Sequence, residues 1–270
     1  MLEVVINQSD RVVPPASMAR AGLIELRQYT LRLGTRDTLL DVFERFLIDG
    51  QEAVGMRIGG TYLDSRDANR FVWMRGFHDL EQRRQALDAF YSGPIWMQHR
   101  GTANPTMIDS DDVLLLRPTV PAHPPALPSR NRPEPGLADA PEHRVRLSVY
   151  AYEPEAELTH WLSTTVHAAL ERYLEASIAT WRTDPGPNTF PQLPVRDENT
   201  FVWSASFEDA EAMSAAELRL ESAPQWHADI APRLRSHVVE QRLHLQPTAR
   251  SQHPQPTAPS SMTTNRELQQ

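Results

Sequence analysis

The chain contains one stretch of sequence twice, and this repeat constrains the fold more than any other feature. Residues 69–96, which begin "NRFVW", align without a gap to residues 199–226, which begin "NTFVW", and 11 of the 28 positions are identical. Self-similarity at one fixed offset, here 130 residues, indicates a repeated structural unit. Because this period is far longer than that of a solenoid, the sequence predicts a duplicated domain.

The residues around the first copy predict a β-α-β-β-α-β unit. The segment "LIELRQYTL" alternates apolar and polar residues as a strand does, and apolar residues from Leu39 to Leu47 recur at helical spacing. The segments "MRIGGTYLD" and "NRFVWMRGF" are typical of a hairpin joined by a polar turn. A second helix is expected from Asp79 to about Phe90, and "DVLLLRP" is expected to form the last strand.

The second copy predicts the same order of elements, from "HRVRLSVYAY" to "VVEQRLHLQ", with a markedly longer hairpin loop. Such a unit forms a four-stranded antiparallel sheet with both helices on one face, which leaves the other face bare. A second sheet in the same chain would cover that face. We therefore predict an α+β fold of two tandem ferredoxin-like (βαββαβ) domains, whose sheets pack face to face as a barrel.

Prolines mark the boundaries of these domains. They cluster between Pro118 and Pro141 and again from Pro247 to Pro259, outside the apolar runs. We predict a flexible N-terminal segment (1–21), a first domain (22–118), a proline-rich linker (119–142), a degenerate second domain (143–247) and a disordered tail (248–270).

Composition excludes several classes of function. The net charge of −8 and the lack of a basic stripe argue against a nucleic-acid partner. No stretch approaches the ~20 apolar residues that span a bilayer, and no signal peptide is evident, so we expect a cytoplasmic protein without a membrane partner. The chain has no cysteine, and all 27 of its Lys and Arg residues are arginine. Thiolate nucleophiles, cysteine-held zinc, lysine Schiff bases and Walker-type phosphate loops are therefore excluded.

The motifs "ELRQYTLRLGT" and "SGPIW", with the helix and hairpin strand between them, resemble the NIPSNAP family. The resemblance is good over residues 23–118 and faint over 145–247. It implies a dimeric α/β-barrel, a superfamily that includes cofactor-free oxygenases, polyketide cyclases, haem enzymes and plain ligand binders. The sequence departs from the family pattern at Trp73, where histidine is common, and at Arg75, where tryptophan is common. Fold alone does not select a reaction.

Strand alternation suggests which side chains face the barrel interior. We expect Ile24 and Leu26 to face the helices, and Arg27 and Tyr29 to face the barrel with Arg75 of the neighbouring strand. Buried guanidinium groups need anionic partners. Glu25 is one candidate partner, and an acidic ligand is another. In the alternative interpretation, these charges form a structural network or lie in water at the barrel rim.

Aromatic residues at matching places in the two copies are candidates for the lining of a pocket for a flat apolar ligand. The pairs are Trp73 with Trp203 and Tyr62 with Trp181, and the alternative is that they fill a core. His99 is a candidate for the barrel mouth, as a proton shuttle or haem ligand, although an ordinary surface or core position is the alternative. The histidines lack the spacing of a metal site, so we expect no metal and no cofactor.

Two functions remain open at this stage. The first is a barrel that binds a small hydrophobic or aromatic acid, with cofactor-independent oxygenase, cyclase or isomerase activity as an extension. The second is a non-enzymatic interaction or scaffold protein with a filled barrel. The outer surfaces leave room for homo-oligomer formation, and the sequence names no substrate.

Overall fold

The computed structural model describes residues 22–119, 132–176 and 178–252. The predicted N-terminal segment, most of the predicted linker and the tail beyond residue 252 lie outside the described residues. The described chain has an α+β fold, in which eight antiparallel strands close into a barrel and six continuous helices cover it from outside.

The first half of the chain, residues 22–119, follows the predicted order of elements. Its strands are β1 (Leu23–Leu31), β2 (Arg57–Asp64), β3 (Arg70–Phe77) and β4 (Met107–Pro118). One continuous helix consists of α1 (Arg36–Val42), a π-helical turn (Phe43–Leu47) and α2 (Ile48–Ala53); it is followed later by α3 (Leu80–Tyr91), α4 (Pro94–Ala103) and a 3-10 turn (Asn104–Thr106).

The second half, residues 143–252, repeats this order. Its strands are β5 (Arg144–Tyr152), β6 (Ile178–Thr183), β7 (Thr200–Phe207) and β8 (Val238–Pro247). Its helices are α5 (Ala156–Trp161), continued by a π-helical turn (Leu162–Val166) and α6 (His167–Leu174), then α7 (Ala210–Ser222), and a π-helical turn (Trp226–Ile230) continued by α8 (Ala231–His237).

The repeated residues explain why corresponding helices start at corresponding places. Asp79 caps α3 by accepting a hydrogen bond from the backbone N–H of Gln82 at 2.8 Å. Asp209 caps α7 by accepting one from the N–H of Ala212, also at 2.8 Å. Aspartate is among the preferred N-cap residues because its side chain satisfies a donor that the helix leaves free. Both helices were predicted from these aspartates.

The strand order around the barrel is β1-β3-β2-β8-β5-β7-β6-β4. Each half therefore contributes a four-stranded sheet in the order fourth, first, third, second. The two sheets meet at two seams: β2 pairs with β8 through Tyr62 and Pro247, and β4 pairs with β6 through Leu116 and Thr183. Closure leaves neither sheet with a free edge, which is the usual liability of an open sheet.

The barrel interior is filled mainly by aliphatic side chains. All eight described strands contribute to one buried apolar cluster, in which Ile24 and Leu26 of β1 lie with Val72 and Met74 of β3. The predicted orientation of β1 and β3 is therefore wrong. The polar residues that alternate with them, Glu25, Arg27 and Arg75, face the helices. Aliphatic side chains fill the closed barrel, and the ion pairs form between the sheet and the helices outside it.

Gly60 and Tyr62 show how one position in this interior is filled. A Cβ atom added to Gly60 would lie 1.7 Å from Tyr62 Oη, because the phenol ring lies over the glycine. Tyr62 is fully buried, and its burial raises the pKa of its phenol well above the ordinary value. The absence of a side chain at Gly60 therefore makes room for a ring in the barrel.

The ends of the predicted linker and tail are packed against the first half. Arg132 donates to Glu52 Oε1 at 2.9 Å. Residues 248–252 continue from β8, and Arg250 forms an ion pair with Asp49 at 2.9 Å while its Nε donates to Pro133 O at 2.8 Å. These contacts extend the packed chain beyond the predicted second-domain boundary at residue 247.

Candidate functional site

A buried cluster of charges lies between the sheet and the helices of the first half. Glu25 of β1 is its only carboxylate among the described residues. Glu25 Oε2 accepts from Arg27 Nη1 at 2.9 Å and from Arg75 Nε at 2.7 Å, and Oε1 accepts from Arg83 Nε at 2.5 Å. All four side chains are at most 2 % exposed. Three positive charges thus surround one negative charge in a site closed to water; we call these four residues the arginine cluster.

Electrostatics keep Glu25 ionised in this cluster. Burial by itself would raise the pKa of the Glu25 carboxyl, but the charges of Arg75, Arg27 and Arg83 together lower that pKa below its ordinary value. Burial likewise opposes the charge on Arg27, yet its neighbours Tyr29 and Glu25 raise its pKa. Glu25 and Arg27 are therefore both charged at neutral pH.

Other groups satisfy part of the hydrogen-bonding capacity of the arginines. Arg75 Nη1 donates to Gln51 Oε1 of α2 at 3.0 Å, and Arg27 Nε donates to Tyr29 Oη at 3.1 Å. Arg83 Nη2, although buried, has no hydrogen-bond acceptor among the described residues. Buried donors without partners are uncommon, because each costs the desolvation of a polar group.

Aromatic rings form the wall next to the arginine cluster. The guanidinium carbon of Arg75 lies 5.2 Å from the Trp73 ring centroid, and that of Arg27 lies 5.6 Å from it, within cation–π range. Tyr29 and Phe43 pack edge-on against Trp73 at centroid distances of 5.9 and 4.9 Å. Trp73 Nε1 is buried and lacks a partner in the described chain. The cluster thus combines cationic donors with a flat apolar surface.

Sequence reasoning missed Arg83. It lies on α3 with Ala86, Leu87 and Phe90 on the buried face of the helix, at the spacing of an apolar stripe. An arginine at an otherwise apolar position was the available signal, since a buried guanidinium requires a partner on the element that it packs against.

The long β6–β7 loop, residues 184–199, covers the arginine cluster from the second half. Asn188 Oδ1 accepts from Arg83 Nη1 at 3.0 Å, and Thr189 Oγ1 lies 3.4 Å from the same nitrogen. Phe190 is buried in the apolar cluster of the first half and stacks on Tyr91 at 6.0 Å. The length of this loop was evident from the sequence, but its contact with the other half was not.

The corresponding region of the second half has the opposite arrangement of charges. Arg146 is central, and it donates to Glu217 Oε1 at 2.8 Å and to Glu240 Oε1 at 3.0 Å. Burial raises the pKa of both carboxyls, but their charged neighbours, including Arg146, bring both pKa values below the ordinary value. Trp203 lies beneath Arg146 at 5.2 Å, as Trp73 lies beneath Arg75. A cleft of about 20 Å³ opens here, with room for about one water molecule.

The remaining predicted site residues are dispersed. Tyr62 and Trp181 are inside the barrel, in the aliphatic cluster. Trp203 lies on the helix side of the second half, so the two aromatic pairs do not share one pocket. His99 is on the outer surface of α4, where its ring stacks on Phe46 at 3.9 Å. His99 therefore occupies the ordinary position on a helix that was the alternative to the barrel mouth.

The described residues contain neither a cluster suited to a metal ion nor a helix suited to crossing a membrane. Within the described ranges, no set of three histidine, aspartate or glutamate side chains is placed to hold a metal ion. The helices of the described chain all fall short of the length and apolar character that a bilayer crossing requires.

Comparison with known proteins identifies the first half. The NIPSNAP family profile matches residues 24–122. A NIPSNAP-like domain protein of Burkholderia xenovorans is 26 % identical over 41 % of this chain and 88 % of its own, with a TM-score of 0.32. No protein with a curated description matches the sequence.

Two solved structures share the fold of the whole chain at low sequence identity. A candidate monooxygenase of Fusobacterium nucleatum subsp. nucleatum ATCC 25586 superposes with a TM-score of 0.54 at 9 % identity, covering 85 % of this chain and 93 % of that protein. An anthrone oxidase-like protein superposes with a TM-score of 0.55 at 12 % identity, covering 86 % and 93 %. These two superpositions establish the fold only, whereas the family profile shows that residues 24–122 match the NIPSNAP family in sequence.

Proposed function

We propose that the first half binds a small hydrophobic or aromatic carboxylic acid at the arginine cluster, between the sheet and the helices. The observation that carries this proposal is the imbalance of buried charge: three guanidinium groups surround the single carboxylate of Glu25. A buried charge without a counter-charge costs several kcal/mol. A bound carboxylate would reduce that cost.

The donors that remain free also favour an anionic ligand. Arg83 Nη2 and Trp73 Nε1 are both buried donors without acceptors in the described chain. A carboxylate has two oxygens and forms the strong, short hydrogen bonds that guanidinium groups make with planar anions. The aromatic wall of Trp73, Tyr29 and Phe43 favours a ligand with a flat apolar body.

This location differs from the one predicted from the sequence, where the ligand lay inside the barrel. The barrel interior is occupied by the aliphatic cluster and by Tyr62 and Trp181. The proposed site uses four of the predicted ligand-binding residues on the opposite face of the sheet: Arg27, Tyr29, Trp73 and Arg75.

We also propose a reaction class for the bound acid. Guanidinium groups that hold a carboxylate would stabilise the additional negative charge of the enolate form of a bound acid. An enolate is the reactive species in cofactor-independent oxygenation and isomerisation. The names of the two structural relatives, a candidate monooxygenase and an anthrone oxidase-like protein, are consistent with this class, although fold similarity does not assign it.

The domain organisation supports an evolutionary inference. We infer that each half is a ferredoxin-like domain, and that the chain is a tandem duplication that reproduces a dimeric α/β-barrel. The identical strand order of the two halves and the ungapped repeat support it.

One observation favours a second candidate, a non-enzymatic scaffold. The barrel is filled, and Arg27, Arg75 and Arg83 also bind groups of the chain itself. In that case the arginine cluster would connect the sheet to α3 and carry no ligand.

Adjacent arginines of α3 provide a matched test of the two candidates. Arg83→Met removes a buried guanidinium, whereas Arg84→Met removes a neighbour that is 43 % exposed and paired with Glu81 and Asp88. Binding of phenylacetate and of the neutral phenylacetamide is measured by isothermal titration calorimetry. We expect wild type and Arg84→Met to bind phenylacetate but not phenylacetamide. We expect Arg83→Met to bind phenylacetate at least about tenfold more weakly than wild type, which corresponds to the ~1.4 kcal/mol of one charge-assisted contact.

A measurement of stability accompanies the titrations. Because Arg27 and Arg75 still pair with Glu25 in Arg83→Met, we expect that variant to retain a cooperative unfolding transition. Measurable binding of phenylacetate that is equal in Arg83→Met and wild type would exclude the acid site and leave the scaffold.

A further inference from the structure

We infer that the segment Asn188–Phe190 of the β6–β7 loop is an intrachain occupant of the acid site, and that an aromatic carboxylate displaces it. This inference rests on the proposed function. It identifies the class of ligand, because the segment combines oxygen acceptors with a phenyl ring as an aromatic acid does. It also identifies how access is controlled, because the loop must leave the site before the ligand binds.

The oxygen atoms of the segment occupy the outward edge of the Arg83 guanidinium. Arg83 Nε is held by Glu25, while Nη1 donates to Asn188 Oδ1 at 3.0 Å and is 3.4 Å from Thr189 Oγ1. Two neutral oxygens from the second half thus lie at Arg83 Nη1, a nitrogen that the carboxylate of a ligand would otherwise use.

The ring of the segment packs into the apolar cluster of the first half, beside Tyr91. Phe190 is 6 % exposed and belongs to the cluster that contains Trp73 and Phe43. Its ring is nearly parallel to that of Tyr91, at an interplanar angle of 25°. The segment therefore presents a phenyl ring beside a pair of oxygen acceptors, which are the two parts of an aromatic acid.

The tip of the loop is internally organised, so it moves as one unit. Asn188 Oδ1 also accepts from the N–H of Phe190 at 3.1 Å, and Asn188 Nδ2 donates to Leu193 O at 2.8 Å. The tip contains four prolines, at positions 185, 187, 191 and 194. Proline fixes φ and removes the backbone donor, which limits the disorder that the tip gains when it leaves the site.

Both ends of the loop are fixed to β4, which defines where it would hinge. The N–H of Asp184 donates to Leu115 O, and the N–H of Arg196 donates to Val113 O, each at 2.8 Å. Arg196 Nη1 also pairs with Asp112 at 2.8 Å. Between these anchors, side chains of the tip form hydrogen bonds to the first half with Arg83 and with the carbonyl of Leu80.

The energetics favour exchange. An amide or hydroxyl oxygen is a weaker partner for a guanidinium than a carboxylate, because the carboxylate adds a negative charge and can accept hydrogen bonds from two guanidinium nitrogens at once. Only molecules in which the loop has left the site can bind the acid, so the apparent affinity equals the intrinsic affinity multiplied by the fraction of such molecules. Weakening the occupant should therefore tighten ligand binding.

The test uses the full chain with Asn188→Ala and Phe190→Ala, singly and together, and phenylacetate as the probe. Gln192→Ala, an exposed position on the same tip, is the matched control. We expect the double variant to bind phenylacetate about tenfold more tightly than wild type, and Gln192→Ala to bind as wild type does. Hydrogen–deuterium exchange of residues 186–195 in wild type should become faster when phenylacetate saturates the protein.

The outcomes separate this inference from the proposed function. If phenylacetate binds wild type but the loop variants bind it equally or more weakly, and exchange of the loop is unchanged or slower, the loop is a wall of the site and the inference is wrong. If only the loop variants bind, the occupant outcompetes the probe, which supports the inference. If neither wild type nor any loop variant binds, both the acid site and its occupant are refuted.

Discussion

Glu25 and Arg146 occupy the same position in the first strands of the two halves, and they carry opposite charges. Glu25 pairs across the sheet with Arg75, and Arg146 pairs with Ala205; Arg75 and Ala205 are themselves related by the offset of the repeat. A carboxylate surrounded by arginines thus corresponds to an arginine surrounded by glutamates. The two halves share a tryptophan beneath an arginine, Trp73 beneath Arg75 and Trp203 beneath Arg146, but not the sign of the central charge.

Removal of the central carboxylate should destabilise the fold strongly. In Glu25→Ala, three buried guanidinium groups lose their counter-charge. We expect the free energy of unfolding to fall by about 3–5 kcal/mol, the range seen when one partner of a buried ion pair is removed. Urea denaturation measures this change. The exposed Glu153→Ala serves as control, and equal effects of the two substitutions would contradict a role of the cluster in stability.

The pH dependence of stability should report the same carboxylate. The pKa of Glu25 is lower in the folded protein than its ordinary value of 4.5, so ionised Glu25 favours the folded state. This contribution is fully present above about pH 4.5 and is lost as pH falls towards the folded-state pKa. Chemical denaturation at a series of pH values should show a smaller decline below pH 4.5 in Glu25→Gln than in wild type. Parallel profiles would show that other carboxyls determine the acid limb.

A methyl group at residue 60 should disturb the barrel interior. Gly60→Ala forces the Tyr62 ring to move, and overpacking of this kind costs about 1–3 kcal/mol. When Tyr62→Ala is combined with Gly60→Ala, the total loss should be smaller than the sum of the single losses. Gly101→Ala in α4 meets no atom within 4 Å and should be neutral or stabilising. Additive losses at residues 60 and 62 would disprove the proposed steric contact.

Arg250 should hold the end of the packed chain in place. Its guanidinium binds Asp49, Glu44 O and Pro133 O, so Arg250→Met leaves two backbone acceptors without a donor. We expect a loss of about 1–3 kcal/mol and faster hydrogen exchange at residues 248–252. Arg233→Met, which removes an exposed ion pair with Glu157, should cost less than about 1 kcal/mol. Unchanged exchange in Arg250→Met would show that the backbone of this segment is held by other contacts.

The sequence was sufficient for the order of the elements and for the closed barrel, because the repeat and the helix-capping aspartates are local patterns. It was insufficient for the orientation of β1 and β3, since both faces of these strands are buried. Alternation then identifies two sets of residues, here Ile24 with Leu26 and Glu25 with Arg27, but not which set faces the helices. The predicted pairing of Glu25 with arginine is present, but the charged residues face Arg83 of α3 and not the barrel interior.

Local sequence patterns also could not predict the contact between the β6–β7 loop and Arg83, for a different reason. Asn188 and Arg83 are separated by 105 residues, and neither position shows a periodicity that depends on the other. Only the closure of the barrel, which brings β6 beside β4, places the loop over the first half.

The two seams between β2 and β8 and between β4 and β6 have a consequence for how the protein can vary. In a symmetric assembly of two identical chains, every substitution appears at both equivalent positions at once. Here both sheets belong to one polypeptide, so a change at Glu25 leaves Arg146 untouched. Covalent linkage thus frees each half to acquire its own specificity while the shared barrel keeps the two together.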